Sequence, residues 1–249
     1  MTLDGLPFAR EVPRISAAQM AEVDRITIEE IGLSVDALME NASHKVATAA
    51  RAVAGRVDGK RIVALVGRGN NGGDAAGALR HLANWGAEVR AEVAAFPDDV
   101  RDTTKRQLIA LLQIGPSVVR YASPEIPRGP LPTADLLLDG LLGYSARGAP
   151  RGLIADLIHA ANGSGTPTLA VDIPSGLDPD SGAKTDVAIR AMVTVTLALP
   201  KKGLLASGAR ETVGELLLAD IGIPHVAFAR VGIDTRRLFV DGDLVRIRH

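Results

Sequence analysis

From residue 61 onward the chain alternates short apolar runs with helix-patterned stretches, and that alternation constrains its fold more than any other feature. "RIVALVG" (61–67), "EVRAEVAAF" (88–96), "ADLLLDGLLG" (134–143), "TPTLAVDIP" (166–174), "AMVTVTLALP" (191–200) and "GELLLADIG" (214–222) read as strands, with "SVVRYA" as a further short one. "DAAGALRHLANWG" (74–86), "PDDVRDTTKRQLIALLQIG" (97–115) and "GLIADLIHAANGSG" read as the helices between them. Strands separated by helices require crossover connections, hence a mostly parallel sheet between helical layers. Of the 249 residues 47% are apolar but only 3% aromatic, so the core is Ala, Val, Leu and Ile, as in helix-covered parallel sheets. Residues 15–54 read as two helices divided at Gly32, with Ser16 and Ser34 as N-caps and Gly55 as the stop. The expectation is one α/β domain over residues 1–249, a Rossmann-like three-layer α/β/α sandwich with two helices ahead of the sheet.

Several function classes fall away at this level. A net charge of −1 offers no electrostatic footprint for nucleic acid or an anionic membrane. Cysteine is absent, which removes disulfides, thiolate metal sites and thiol nucleophiles. No apolar run reaches membrane-spanning length, and "MTLDGLPFAREVPR" lacks the order of a signal peptide, so a cytoplasmic protein is expected. The histidines at 44, 81, 159, 225 and 249 show no metal-ligand spacing. Neither a G-x-S-x-G elbow nor a Walker lysine is present.

Ligands of open parallel sheets bind at the carboxyl ends of the strands. That rule selects "GRGNNGGD", "DGLLGYSARG", "VDIPSGLDPDSG" and "LPKKG", each polar or glycine-rich just where an apolar run stops. The first contains G-x-G-x-x-G at Gly67, Gly69 and Gly72, with Glu88 and Glu92 near the distance of a dehydrogenase's ribose-binding acid. Asp74 opposes that reading, since a carboxylate repels pyrophosphate. The Asn70–Asn71 pair suits a cation or a polar ligand instead. A third reading is a tight turn with Asp74 capping the following helix. Asp139 sits inside an apolar run, where a carboxylate is costly unless paired, ligated or at the strand end. Arg147 and Arg151 suit phosphates or are plain surface charges. Asp172 ends a buried strand and faces inward, whereas Asp178 and Asp180 read as solvated turn acids. Lys201 and Lys202 follow a strand-ending proline, and position alone does not separate them.

These clusters, together with "ALMENA" (37–42), resemble in their order the NAD(P)H-hydrate epimerases, the family of the YjeF-type N-terminal domain, from about Ile15 to about Ile223. The resemblance implies an isomerase that interconverts the R and S forms of hydrated NADH and NADPH for nicotinamide nucleotide repair. A separate dehydratase would finish the repair, because the chain is too short for a C-terminal dehydratase domain as well. A homodimer and a K⁺ cofactor are also implied. Residue by residue, Asn70, Asn71, Gly72, Gly73 and Asp74 would bind substrate, as would the loop Gly143, Tyr144, Ser145, Ala146, Arg147, Gly148 and Ala149. Asn71, Asp139 and Ser175 would hold the K⁺. Asp172 would contact the dinucleotide and, with Lys201, the first lysine of its pair, lie at the reacting ring.

The chain departs from the family pattern at Ala75, where glycine is usual, at Ser43 in "ENAS" for the commoner "ENAG", and in "GYSARG", an aromatic-Ser form of its loop. Ala75 is expected to limit a close backbone approach, and Ser43 to crowd a helix contact. Two rival functions are a non-catalytic nucleotide-binding scaffold of the same fold and a nicotinamide-dependent oxidoreductase. Retention of Asp172, Lys201 and the cation ligands opposes the first. The second lacks a separate substrate domain and a catalytic His or Tyr-Lys arrangement.

Overall fold

The computed structural model describes residues 2–9, 11–123 and 130–248; His249 of the sequence reading lies outside them. The eight strands among the described residues are β1 (Arg61–Val66), β2 (Glu88–Val93), β3 (Val119–Arg120), β4 (Leu136–Gly140), β5 (Thr168–Val171), β6 (Val193–Leu197), β7 (Glu215–Ala219) and β8 (Leu244–Ile247). They form one sheet in the order β3-β2-β1-β4-β5-β6-β7-β8, parallel throughout except for the antiparallel β7–β8 pair. The helices are α1 (Ala17–Arg25), α2 (Val35–Ala54), α3 (Asn70–Asn84), α4 (Asp102–Ile114), α5 (Gly152–Gly163), α6 (Arg210–Val213) and α7 (His225–Ala229).

Both faces of the sheet are covered, and side-chain alternation along each strand decides which residues serve which face. Ile62, Ala64, Val66, Leu136 and Leu138 pack under α1, α2, α3 and α4. Val63, Leu65, Leu137 and Ala170 pack instead with Leu157, Ile158 and Ala161 of α5. The expected three layers are present. The chain builds β1, β2 and β3 outward in one direction, then returns to place β4 on the other side of β1. That reversal opens a crevice at the carboxyl ends of β1 and β4, where "GRGNNGGD" and "DGLLG" lie.

Element boundaries differ from the sequence reading in instructive ways. Ser16 caps α1 in a reciprocal box with Gln19, and Ser34 accepts from Ala37 N at 3.1 Å, as expected. Between them, however, α1 runs into one π-helical segment, Ile26–Glu30. The helix placed at 74–86 starts four residues earlier, so Asn70–Gly73 are its first turn rather than a loop, and Gly69, not Asp74, is the N-cap. The 97–115 helix is a 3₁₀ turn, Pro97–Asp99, followed by α4. The apolar runs outlast their strands: "ADLLLDGLLG" is paired only over Leu136–Gly140. Strand β8 and the helices α6 and α7 were not expected.

Two of the three departures from the family pattern, Ala75 and Ser43, find room opposite glycines. A Cβ built on Gly140 would lie 2.5 Å from the Ala75 methyl, so the alanine is accommodated because its neighbour has no side chain. Ser43 of α2 likewise faces Gly77 of α3, where an added Cβ would meet Ser43 Oγ at 2.2 Å. The crowding is thereby relieved, but Ser43 Oγ is left buried without a hydrogen-bond partner. An unpartnered buried hydroxyl costs about 1–3 kcal/mol. Ser43→Ala is therefore expected to stabilise the chain by about 1 kcal/mol, raising Tm by roughly 2–4 °C. A melting temperature lowered in Ser43→Ala, followed by calorimetry, would contradict this placement.

Candidate active site

The four strand-end segments meet around one cleft of about 930 Å³, toward the upper end of the size range of small-molecule sites. Asn70, Asn71 and Asp74 of α3 line it, with Gly143, Tyr144, Ser145, Ala146 and Arg147 after β4, Asp172 after β5 and Lys201 after β6. Gly72 and Gly73 lie behind this wall and act by letting backbones approach. A Cβ on Gly72 would stand 2.1 Å from the Gly67 carbonyl oxygen, and one on Gly73 would strike Met39 and Thr104. Gly148 borders a separate pocket of about 230 Å³ between the two loops, and Ala149 is exposed at its loop's end. Arg151 is exposed at the start of α5.

Lys201 is the largest fully buried side chain among the described residues and ion-pairs with Asp172. Its Nζ also donates to the Leu197 carbonyl at 3.1 Å and lies 5.3 Å from the centre of the Tyr144 ring. Lys202 is exposed, so the structure separates the two lysines. Asp172 and Ala198, each just past a strand end, are the only non-glycine residues with positive φ among those described, at 64° and 66°. Left-handed backbone at such residues costs about 1–2 kcal/mol each and gathers at functional sites. Here the fixed strand ends hold it: Asp172 N donates to Val195 O at 2.8 Å, and Leu197 N donates to Asp172 Oδ1 at 3.3 Å.

Below this pair lies Asp139, at the end of β4 and wholly buried. It accepts from Ser175 N at 2.8 Å, Ser175 Oγ at 2.7 Å and Leu141 N at 3.2 Å. Burial pushes its carboxyl up to about 6 against the opposing effect of those hydrogen bonds. Asn71 belongs to the same cluster, because its Nδ2 donates to Leu142 O at 3.0 Å while Leu142 N donates to Ser175 Oγ, also at 3.0 Å. Asn71, Asp139 and Ser175 thus converge on one turn. No group of three or more His, Cys, Asp or Glu among the described residues is arranged to hold a metal ion. One carboxylate among neutral oxygens is the donor chemistry of a monovalent cation rather than a transition metal.

Two further acids enter the cleft. Asp74 is buried, and its carboxyl is held well above the ordinary range by burial first, then by the charges of Asp172 and Asp24, with Lys201 opposing. Asp24 of α1 was missed in the sequence. It lines the cleft, is raised by burial, and accepts the Tyr144 hydroxyl proton at 2.6 Å. Its signal was present: Asp24 stands four residues from both Met20 and Ile28, an acid on a stripe whose other members are apolar. Of the remaining candidates, Glu92 is turned away from the cleft toward Arg90, at 2.8 Å, and Arg120, at 3.9 Å, and Glu88 lies at the opposite end of β2. Asp178 closes its own turn by accepting from Ser181 N at 2.8 Å. Exposed Asp180 does more than face solvent, because it accepts from Ala17 N at 2.8 Å and anchors α1.

A family model described as "YjeF-related protein N-terminus" matches residues 35–203. The chain belongs to that family. It is 38% identical over 235 residues to an NAD(P)H-hydrate epimerase of Dehalogenimonas lykanthroporepellens, covering 94% of this chain and 92% of that relative. Over 228 residues it is 36% identical to a bifunctional NAD(P)H-hydrate repair enzyme of Moorella thermoacetica, covering 90% of this chain but only 43% of the relative. The chain therefore spans less than half of the bifunctional relatives. The crystal structure of yeast ynu0 shares the fold with a TM-score of 0.77, covering 94% of this chain and all of that one at 22% identity.

The state of Asp74 has a measurable consequence. A carboxyl whose folded value is raised binds an extra proton in the native state. Its favourable contribution is complete below the ordinary value of 3.8 and is lost as pH rises through the folded value. Asp74→Asn cannot ionise and escapes that loss. The variant's melting temperature, relative to the wild type, is expected to climb steadily between pH 4 and pH 8. A difference that stays constant with pH would show that Asp74 titrates normally.

Proposed function

We propose that this chain is an NAD(P)H-hydrate epimerase, exchanging the R and S configurations at the hydrated carbon of the nicotinamide ring. The observation that carries the reading is the buried Asp172–Lys201 pair set beside buried Asp74 in a single cleft. Similarity along nearly the full length of an epimerase supports it. The reaction needs a proton for the departing hydroxyl and an anion facing the cationic ring that remains. The ring nitrogen's electron pair forms the bond to carbon 6 as the C–O bond breaks and the hydroxyl, having gained a proton, leaves as water. Water then adds from the other face and returns a proton to the site. Asp74, whose carboxyl burial holds above the ordinary range, serves as the donor, while Asp172 offers its carboxylate to the ring cation. Lys201 orients that carboxylate through their ion pair. Asn70, Asn71 and loop residues 143–147 are the remaining substrate contacts, while Gly148 and Ala149 stand outside the cleft.

Asn71, Asp139 and Ser175 have the oxygen chemistry to hold a K⁺ ion, whose charge would offset buried Asp139 and fix the turn below the loop. No helix among the described residues is long and apolar enough to cross a membrane. We place the protein in the cytoplasm as a homodimer, with a separate dehydratase consuming its S product. An oxidoreductase reading loses its candidate ribose acid, since Glu92 is committed to arginines on the sheet.

The test is exchange between the two NADH-hydrate epimers, resolved by chromatography. Asp172→Asn is expected to lower kcat about 100-fold or more with a smaller change in KM, because the carboxylate acts mainly on the developing cation. Lys201→Met should fall comparably, whereas exposed Lys202→Ala stays within about twofold. Near-normal turnover in folded Asp172→Asn would sink the mechanism. Replacing K⁺ by tetramethylammonium should depress exchange in the wild type, and unchanged exchange would remove the ion from the proposal.

A further inference from the structure

Residues 143–147 of the loop form one side of the cleft, yet most of the loop's hydrogen bonds are internal. Ala146 N donates to Gly143 O at 3.0 Å, and Arg147 Nη1 donates to the carbonyls of Tyr144 and Ala146, each at 2.9 Å. Among the hydrogen bonds of the described residues, one ties this loop to another element: the Tyr144 hydroxyl to Asp24 Oδ2, at 2.6 Å. The bond joins two regions distant in sequence, and Asp24 falls outside the stretch matched by the family model, residues 35–203. The same Tyr144 ring stands 5.3 Å from Lys201 Nζ, close enough for a cation–π contact that strengthens as the site loses water. One hydrogen bond therefore fixes both the loop and the ring that shields the lysine.

We infer that Asp24 is a positioning residue of the reaction centre, acting through Tyr144 to hold the substrate loop closed on α1 and the aromatic ring against Lys201. The inference rests on the proposed epimerase reading and adds to it a residue that neither the family's motifs nor the cation cluster contains. The placement of Asp24 is otherwise hard to account for. It is a half-buried carboxyl on the cleft side of α1, between Met20 and Ile28, in a pocket already holding Asp74 and Asp172. An apolar residue would pack there without desolvating a charge. What an apolar residue could not do is accept the hydroxyl proton of Tyr144. The loop's aromatic residue alone would supply the ring; the hydroxyl and Asp24 supply its orientation.

Three single variants and one double variant separate the possibilities. Tyr144→Phe keeps the ring and removes the donor, Asp24→Ala removes the acceptor, and Asp24→Asn keeps an acceptor without the charge. Two readouts are taken: epimer exchange, and the Lys201 Cε resonance in protein labelled with ¹³C-lysine, which senses the ring current of Tyr144 without any substrate. Tyr144→Phe and Asp24→Ala are each expected to lower kcat/KM about tenfold, and the double variant no further, because both break one bond. Both should also move the Lys201 resonance, while Asp24→Asn stays within about threefold of the wild type and leaves the resonance in place. Additive losses in the double variant, an unmoved Lys201 resonance in Tyr144→Phe, or Asp24→Asn as impaired as Asp24→Ala would each overturn the inference. If the wild type exchanges no epimers, the functional reading fails by itself, and the lysine resonance still decides whether Asp24 positions Tyr144.

Discussion

The buried ion pair between Asp172 and Lys201 is the constraint around which the rest of the site is arranged. Removing two charges from water costs several kcal/mol per ion, so such a pair adds little to stability and is strongly destabilising when one partner is lost. The fold meets this cost with geometry. Leu197 offers its carbonyl to the ammonium and its N–H to the carboxylate, so one residue at the end of β6 satisfies both members. The left-handed backbone at Asp172 and Ala198 turns two adjacent strand ends toward each other, and the paired β5 and β6 hold that strain in place. The N-terminal segment is drawn in as well: Ile15 N donates to Pro200 O and Lys202 N to Ile15 O, both at 3.0 Å, on either side of the lysine. The position of α1, and with it Asp24, follows from that clasp.

A parallel sheet suits this chemistry because it brings several chain segments to one edge with their directions aligned. The close fit between those segments depends on missing side chains. Gly67 N donates to Gly140 O at 3.1 Å, continuing the β1–β4 pairing into the loops, and a Cβ on Gly67 would lie only 1.9 Å from Leu141 O. Gly140 has Asn71 O and the Ala75 methyl on its other side. Gly67 and Gly72 of the G-x-G-x-x-G spacing thus serve backbone packing between two loops and a helix start, while a Cβ on Gly69 would meet open space. That explains how a loop with dinucleotide-type spacing can carry two asparagines and an acid without a dehydrogenase's phosphate chemistry.

The strand-end chemistry was legible in the sequence because candidate residues there interrupt or follow apolar runs, the pattern of a buried strand and its polar rim. Asp139 and Asp172 were visible on that ground, and so was the Lys201–Lys202 pair, whose members only the family resemblance told apart. The start of α3 was not. Asn-Asn-Gly-Gly has the local preferences of a turn, and it becomes helix because Gly73 lets Met39 and Thr104 pack against it while Thr104 Oγ1 ties down Gly69 O at 2.9 Å. Those are contacts across thirty residues or more of sequence, which local propensity does not contain. Asp24 was passed over for a different reason. Its neighbours Glu22 and Arg25 are exposed and paired with each other, so the acid blended into a charged helix surface although its side chain points to the cleft. Strand β8 is a short edge strand with Arg246 in its middle, too polar and brief to register as apolar alternation.

The proton inventory of the cleft follows from its charges. Lys201 is the buried base of the cleft and the arginines that line it, Arg68, Arg101 and Arg147, are exposed, so full ionisation of Asp24, Asp74 and Asp172 would leave excess negative charge in its poorly solvated part. Burial and mutual repulsion hold protons on Asp24 and Asp74 more tightly than water would. In the proposed reaction the ring acquires a positive charge as the hydroxyl departs, and that charge reverses the balance. A cation among three carboxyl groups favours their ionised forms, so Asp74 becomes a stronger acid as the C–O bond weakens. Proton delivery and charge development then reinforce each other within one step. Return of water neutralises the ring, restores the excess negative charge and draws the proton back. A site built in this way favours neither epimer, since its electrostatics answer to the planar cation that both faces share.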